Sequence, residues 1–210
     1  EINSEYRTAH FGKWGMGSNP SAFGYDESDG PTKNKDGGFV NNKEQWGNTI
    51  SDDPKKIFSL TNKAIDFIKK NVKKERPFYI QISHYAVHAS LQMRQKSLDK
   101  YEQKTKGKYQ KSPGFAAMTE DLDEGLGLLL QNIENLGIGD NTYIIYMSDN
   151  GSVPNIPGAK KYQYSYNFPL SRGKWDAMEG GLRVPLVVSG PGIKKGVENK
   201  TISESRYSSY

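Results

Sequence analysis

Short runs rich in branched and aromatic residues alternate along this chain with two long apolar stripes at helical spacing, and that alternation confines it to an α/β architecture. The first stripe is Ile57, Leu60, Ala64, Phe67, Ile68 and Val72, with lysines opposite. Asp53-Pro54 opens the helix, because a carboxylate can cap free amides and Pro fits the first turn. The helix is expected to run to about Lys74, and Arg76-Pro77 stops it. Phe78-Tyr79-Ile80-Gln81-Ile82-Ser83 then predicts a buried strand. Ser112-Pro113 begins a second helix with apolar positions at Phe115, Met118, Leu122, Leu126, Leu129, Leu130 and Ile133, and Gly137 stands where a C-terminal cap belongs. Residues 141–147, carrying Tyr143-Ile144-Ile145-Tyr146-Met147, and residues 184–188 read as further buried strands, and residues 6–11 as a short first strand ended by Gly12. This order predicts a mixed, mainly parallel sheet flanked by helices, with polar loops gathered where the strands end. Residues 15–51 and 92–111 are expected to be loops on the surface.

Composition narrows the function by exclusion. The 210 residues include no cysteine, so no disulfide, thiolate zinc site, iron–sulfur cluster or cysteine nucleophile is encoded within them. No run of about 18 apolar residues is present to span a membrane, and Glu1-Ile2-Asn3-Ser4 does not open a signal peptide. The net charge of +5 is dispersed, apart from a small cluster at Lys69-Lys70-Asn71-Val72-Lys73-Lys74. With no aromatic platform interleaved with a basic stripe, nucleic acid is not an expected partner. The opening residues look like the tail of a helix, the chain stops in Ser205-Arg206-Tyr207-Ser208-Ser209-Tyr210 without closure, and four strands are few for so much loop. The whole of 1–210 therefore reads as the interior of a longer protein.

Chemistry is expected at the strand ends. Ser148-Asp149-Asn150-Gly151 follows a strand, and an Asp carboxylate beside an Asn carbonyl suits a hard cation; a plain turn has the same composition. His88, in Ser83-His84-Tyr85-Ala86-Val87-His88, lies beyond another strand and is either a hydrogen-bonded packing residue or an acid and anion ligand. The spacing of His84 and His88 would suit a helical metal pair, but the chain is leaving a strand there. His10, inside the first strand, reads as structural. Lys13, in Gly12-Lys13-Trp14-Gly15-Met16-Gly17, and Lys174, in Arg172-Gly173-Lys174-Trp175, stand among glycines that let a ligand approach; each is otherwise a solvated lysine. Glu179 and Arg183 are expected to brace the turn in Glu179-Gly180-Gly181-Leu182-Arg183.

The order of these segments is more specific than any one of them. Tyr6-Arg7-Thr8-Ala9-His10-Phe11-Gly12-Lys13-Trp14-Gly15-Met16-Gly17 resembles the sulfatase signature G-Y-x-T-x-x-x-G-K-W-H-x-G. Residues 77–88 resemble P-F-F-L…Y-x-x-P-H, residues 143–151 resemble T-x-V-I-F-T-S-D-N-G, and residues 169–191 resemble P-L-R-G-G-K…E-G-G-x-R-V-P…W-P-G of the same family. The chain is thus similar, over nearly its whole length, to formylglycine-dependent sulfatases of the alkaline-phosphatase-like superfamily. That resemblance implies hydrolysis of sulfate esters, on carbohydrates, and a periplasmic or secreted location. It further implies that Asp149 and Asn150 are two of four protein ligands to Ca²⁺, with Mg²⁺ the alternative, and that Lys13, His88 and Lys174 surround the sulfate.

Three departures stand out. The family's His after Gly-Lys-Trp is Gly15 here, the nucleophile motif C-x-P-x-R or its serine form is absent from the 210 residues, and so is the amino-terminal Asp-Asp metal motif. The resemblance implies a formylglycine upstream and an inactive isolated segment. Two other readings stay open: a phosphate or phosphonate ester hydrolase on the same platform, and a catalytically silent relative that binds sulfated glycans.

Overall fold

The computed structural model describes residues 5–42, 47–153 and 167–198. Strand β1 (Arg7–Gly12) pairs in parallel with both β2 (Glu27–Ser28) and β4 (Phe78–Ser83), giving a three-stranded sheet in the order β2-β1-β4. Because β1 and β4 run the same way, the segments after Gly12 and Ser83 leave the sheet at one edge.

Helix α1 (Ile57–Val72) covers one face of that sheet. Its buried positions include Ile57, Leu60, Ala64, Phe67 and Ile68 as the stripe predicts, together with Thr61 and Asn71, whose side chains donate to the carbonyls four residues back at 2.9 and 2.8 Å. Burial without orphaned donors is why two polar residues fit an apolar face. Asp53 Oδ1 caps α1 as expected, accepting the N–H groups of Phe58 at 2.8 Å and Ser59 at 3.3 Å, but Pro54 is not in its first turn: Lys55 and Lys56 turn left-handed and the helix begins at Ile57. The helix ends at Val72, two residues short of the expectation. Ala9 and Phe11 of β1, with Phe78, Ile80 and Ile82 of β4, close the core against Leu60, Ala64 and Phe67.

Strand β4 has the predicted bounds but is not buried on both faces. Tyr79 and Gln81 point away from α1 and stay exposed, Tyr79 beside the Tyr25 ring and Gln81 accepting from the Tyr25 hydroxyl at 2.7 Å.

The expected loop at 92–111 is instead ordered around a second core. Strand β5 (Gln92–Met93) pairs in parallel with β3 (Thr49–Ile50), and helix α2 (Gln95–Gln103) packs on α3 (Pro113–Asn135). Leu91, Met93, Leu98, Ala117 and Met118 are buried together there. The anchor is Asp121, fully buried, which accepts from Arg94 N and Nε at 2.8 Å each and from Ser97 Oγ at 2.6 Å. A polar sequence hides this core because its few apolar residues are held by a buried ion pair. Ser112 caps α3 through Phe115 N, and Gly137 takes φ 66° just past its end, both as expected. Leu130 of that helix remains exposed.

Strand β6 (Ile144–Met147) pairs antiparallel with β7 (Leu186–Ser189), after the short helix α4 (Glu179–Leu182). Both strands were expected to be buried, yet Ile145 is 65% and Val187 59% exposed. Among the described residues these strands pair only with each other, so their apolar side chains have no covering layer. Within the described residues the predicted strands therefore belong to separate sheets. The expectations for the first four residues and for Ser205 to Tyr210 fall outside the described residues.

Candidate active site

Lys13 follows β1 directly, and its N–H donates to the Ser83 carbonyl at the end of β4 at 2.8 Å. The loop behind it is fastened by one residue: Thr32 Oγ1 accepts the Trp14 N–H at 2.9 Å and donates to the Gly12 carbonyl, while the Thr32 carbonyl takes the Gly15 N–H at 2.9 Å. Gly15 has φ 78°, a left-handed conformation that side-chain-bearing residues rarely adopt. The departure from the family's His at this position is thus built into the backbone. Trp14 turns the other way, into a ring cluster with His10 at 4.9 Å, Phe23 at 5.4 Å and Tyr25 at 5.7 Å. His10 is fully buried with Nε2 3.0 Å from Ser83 Oγ, in keeping with a structural role.

His88 lies in the turn after β4, where its N–H donates to the Tyr85 carbonyl at 2.9 Å. Nδ1 is 2.9 Å from the Ala89 carbonyl; a carbonyl can only accept, so Nδ1 carries the hydrogen and Nε2 is the free nitrogen. The ring stands edge-on to Phe39 at 5.2 Å. Burial lowers the His88 pKa, the Ala89 hydrogen bond opposes that shift, and the charges of Lys174, Lys13 and Lys55 lower it further, in that order. Cations from three separate segments therefore bear on one imidazole. His84 does not join them: its Nδ1 is buried without a partner among the described residues, and burial alone takes its pKa down to about 4. No helix carries His84 and His88.

Asp149 and Asn150 stand at the turn after β6, Asp149 exposed and Asn150 half-buried, with Ser148 Oγ donating to the Asn150 carbonyl at 2.8 Å. The next residue joins this turn to the 171–181 segment. Gly151 N–H donates to the Gly181 carbonyl at 2.9 Å, and a Cβ on Gly151 would lie 1.8 Å from the Gly180 carbonyl oxygen. A Cβ on Gly180 would meet the Arg172 carbonyl at 2.3 Å, and one on Gly181 the Asp176 carbonyl at 2.1 Å. These glycines let three backbone segments close to a distance that any side chain would prevent. Lys174 is placed by the same fastening, its N–H donating to the Ser152 carbonyl at 2.9 Å. Glu179 and Arg183 pair across α4 at 3.3 Å, both largely exposed, which braces the turn weakly.

Asp149 and Asn150 offer hard oxygen donors that fit Ca²⁺ or Mg²⁺ as part of a coordination shell. Among the described residues no group of three His, Asp or Glu side chains is gathered to complete one. Lys55, whose charge also lowers the His88 pKa, is buried at the start of α1, and its burial has no signature in the sequence.

The sulfatase family model matches residues 3–209. The N-acetylgalactosamine-6-sulfatase of Mus musculus is 34% identical over 140 residues, covering 63% of this chain and 23% of that protein. A sulfatase of Formosa agariphila is 33% identical over 148 residues, covering 64% and 25%. The crystal structure of Ps i-CgsB in complex with k-i-k-neocarrahexaose superposes with a TM-score of 0.68 at 26% identity, covering 89% of this chain and 45% of that one. The chain spans about a quarter of the length of these curated relatives. Among the described residues no helix is long and apolar enough to cross a membrane. With its matched segments in the expected order and an alkaline-phosphatase-like fold, the chain belongs to the sulfatase family.

Proposed function

We propose that this chain is the central part of a catalytic domain that hydrolyses sulfate esters of a carbohydrate to alcohol and sulfate, acting outside the cytoplasm where glycan polymers are met. The observation that carries this reading is the match of the sulfatase family model over residues 3–209, with Lys13, His88 and Lys174 each set on a loop that a backbone hydrogen bond fixes. The charges of Lys174, Lys13 and Lys55 each lower the His88 pKa, and positive charge around an imidazole favours a bound anion. Carbohydrate is favoured as the bearer of that anion by the relatives that are N-acetylgalactosamine-6-sulfatases and by the neighbour bound to a neocarrahexaose.

In this reading Lys13 and Lys174 hold the sulfate oxygens and offset the charge that develops as the ester oxygen departs. In the free protein Nε2 of His88 is unprotonated, since burial and three cations disfavour the imidazolium. A bound sulfate ester reverses that balance, because an anion beside the ring raises its pKa. His88 then has a proton on Nε2 to deliver to the leaving oxygen. Asp149 and Asn150 supply two of the oxygen donors for a divalent cation, Ca²⁺ or Mg²⁺. A bound cation would supply further positive charge to the ester, and a formylglycine, which these 210 residues do not encode, would supply the nucleophile.

The test is hydrolysis of 4-nitrophenyl sulfate and of sulfated sugars by the full-length protein. Lys174→Ala and Asp149→Ala are each expected to lower kcat/KM by at least about a hundredfold. Activity untouched by both substitutions overturns the site, and turnover of 4-nitrophenyl phosphate in preference to the sulfate overturns the substrate class.

A further inference from the structure

Lys55 occupies a conformation that a lysine adopts only under constraint. Both it and Lys56 are left-handed, at φ 52° and 56°, each costing about 1–2 kcal/mol relative to the ordinary helical region. The two side chains part company: Lys56 is exposed, 6.0 Å from the Tyr85 ring centre, whereas Lys55 is 1% exposed. The turn is held from both sides. Asp53 caps α1 ahead of it, and the Lys55 N–H donates to Gln92 Oε1 at 2.8 Å. The Gln92 side chain in turn lies against Gly38, where an added Cβ would come within 2.2 Å of its Nε2. Gly38 is followed by Phe39, the ring that stands edge-on to His88. Lys55 and His88 thus flank one short segment, and the Lys55 charge acts on the His88 ring.

Among the described residues no ion pair neutralises the Lys55 ammonium. Burial is the sole cause of its lowered pKa, to about 8, so among the described residues no carboxylate offsets the charge. A buried, unpaired ammonium is costly unless an anion arrives, and glycine would take the same backbone at less strain. We propose that Lys55 is a substrate-binding residue whose ammonium holds the sulfate group beside His88, as a third lysine with Lys13 and Lys174. This rests on the reading that the site takes a sulfate ester, and it assigns to the site a residue that lies outside the motif segments 6–17, 77–88, 143–151 and 169–191.

The experiment measures the Kd of inorganic sulfate by calorimetry on the full-length protein and on Lys55→Gly, Lys55→Met and Lys55→Arg, with melting curves for each. Removing a charged hydrogen bond to a bound anion is expected to raise the Kd about tenfold or more in the Gly and Met variants, with Arg recovering most of the loss. Lys55→Gly is expected to melt at or above the parent, since Gly relieves the left-handed strain. Unchanged sulfate affinity in a variant that melts like the parent overturns the proposal, and so does loss of a cooperative melt in Lys55→Gly, which assigns the lysine to the fold. Turnover of 4-nitrophenyl sulfate is read in parallel. Lys55-dependent sulfate binding without turnover leaves this proposal standing and removes the functional reading; turnover with Lys55-independent binding does the reverse.

Discussion

The N–H of Lys174 donates to the carbonyl of Ser152 at 2.9 Å, so the lysine and the Asp149-Asn150 turn belong to one fastened unit although 24 positions separate Lys174 from Asn150 in the sequence. The unit depends on backbone packing against Gly151, Gly180 and Gly181, where no Cβ fits.

Gly151→Ala tests that dependence. Its methyl would sit 1.8 Å from the Gly180 carbonyl oxygen, so the two segments must part. The expected cost is about 1–3 kcal/mol of stability. Activity of the full-length protein is expected to require more added Ca²⁺ than the parent does, which a calcium titration of turnover after chelation checks.

Gly15→His, which writes the family's signature back into the chain, is expected to harm. The left-handed φ of 78° costs a histidine about 1 kcal/mol, and the Thr32 hydrogen bonds fix the loop in that shape. A lower midpoint in urea with no gain in kcat/KM is the expected result. Increased activity would show that the loop relaxes to accept the side chain.

The Arg94 network is the expected stability hot spot outside the site. Arg94 bridges buried Asp121 and exposed Glu124 while its guanidinium lies 4.5 Å from the Phe58 ring centre. Asp121→Ala leaves Arg94 and Ser97 without their buried partner and is expected to cost about 3–5 kcal/mol. Glu124→Gln, at a solvent-screened position, is expected to cost about 1 kcal/mol or less. Denaturant melts of the two variants should therefore differ severalfold, and equal losses would remove the special role of Asp121.

Acid should weaken the fold through His84. Its pKa is lowered from the ordinary 6.5 to about 4, so the unfolded chain binds a proton in that window that the folded chain refuses. Stability is then complete above pH 6.5 and declines as pH falls toward 4. Nδ1 is buried but the residue keeps some accessible surface, which limits the loss to about 1–2 kcal/mol. His10 and His88 shift in the same direction. His84→Gln is expected to flatten the slope of stability against pH by up to about one proton, and an unchanged slope would place the acid sensitivity elsewhere.

Local pattern carried much of the fold. The stripe on α1, the bounds of β4, the Ser112 cap and the Gly137 stop are properties of neighbouring residues, and they are legible because periodicity and capping act over a few positions. The 92–111 segment misled because polar residues dominate it, while the fold there depends on Asp121, which lies beyond that segment in the next helix. The β6 and β7 runs look buried because they are apolar, yet burial is set by what packs on them and not by their own composition.

The site divides in the same way. Lys13, His88, Lys174, Asp149 and Asn150 were each readable as candidates, since strand ends and glycine punctuation mark where side chains can meet a ligand. The sequence alone determined the family, the helix and strand types, and the absence of a cysteine nucleophile from these 210 residues. Only the tertiary structure decided that the Gly151 turn and the 171–181 segment fasten together, that Gly15 is held left-handed, and that Lys55 is buried. The physical reason is range: periodicity acts between neighbours, whereas close backbone approach and burial depend on segments brought together from distant parts of the chain.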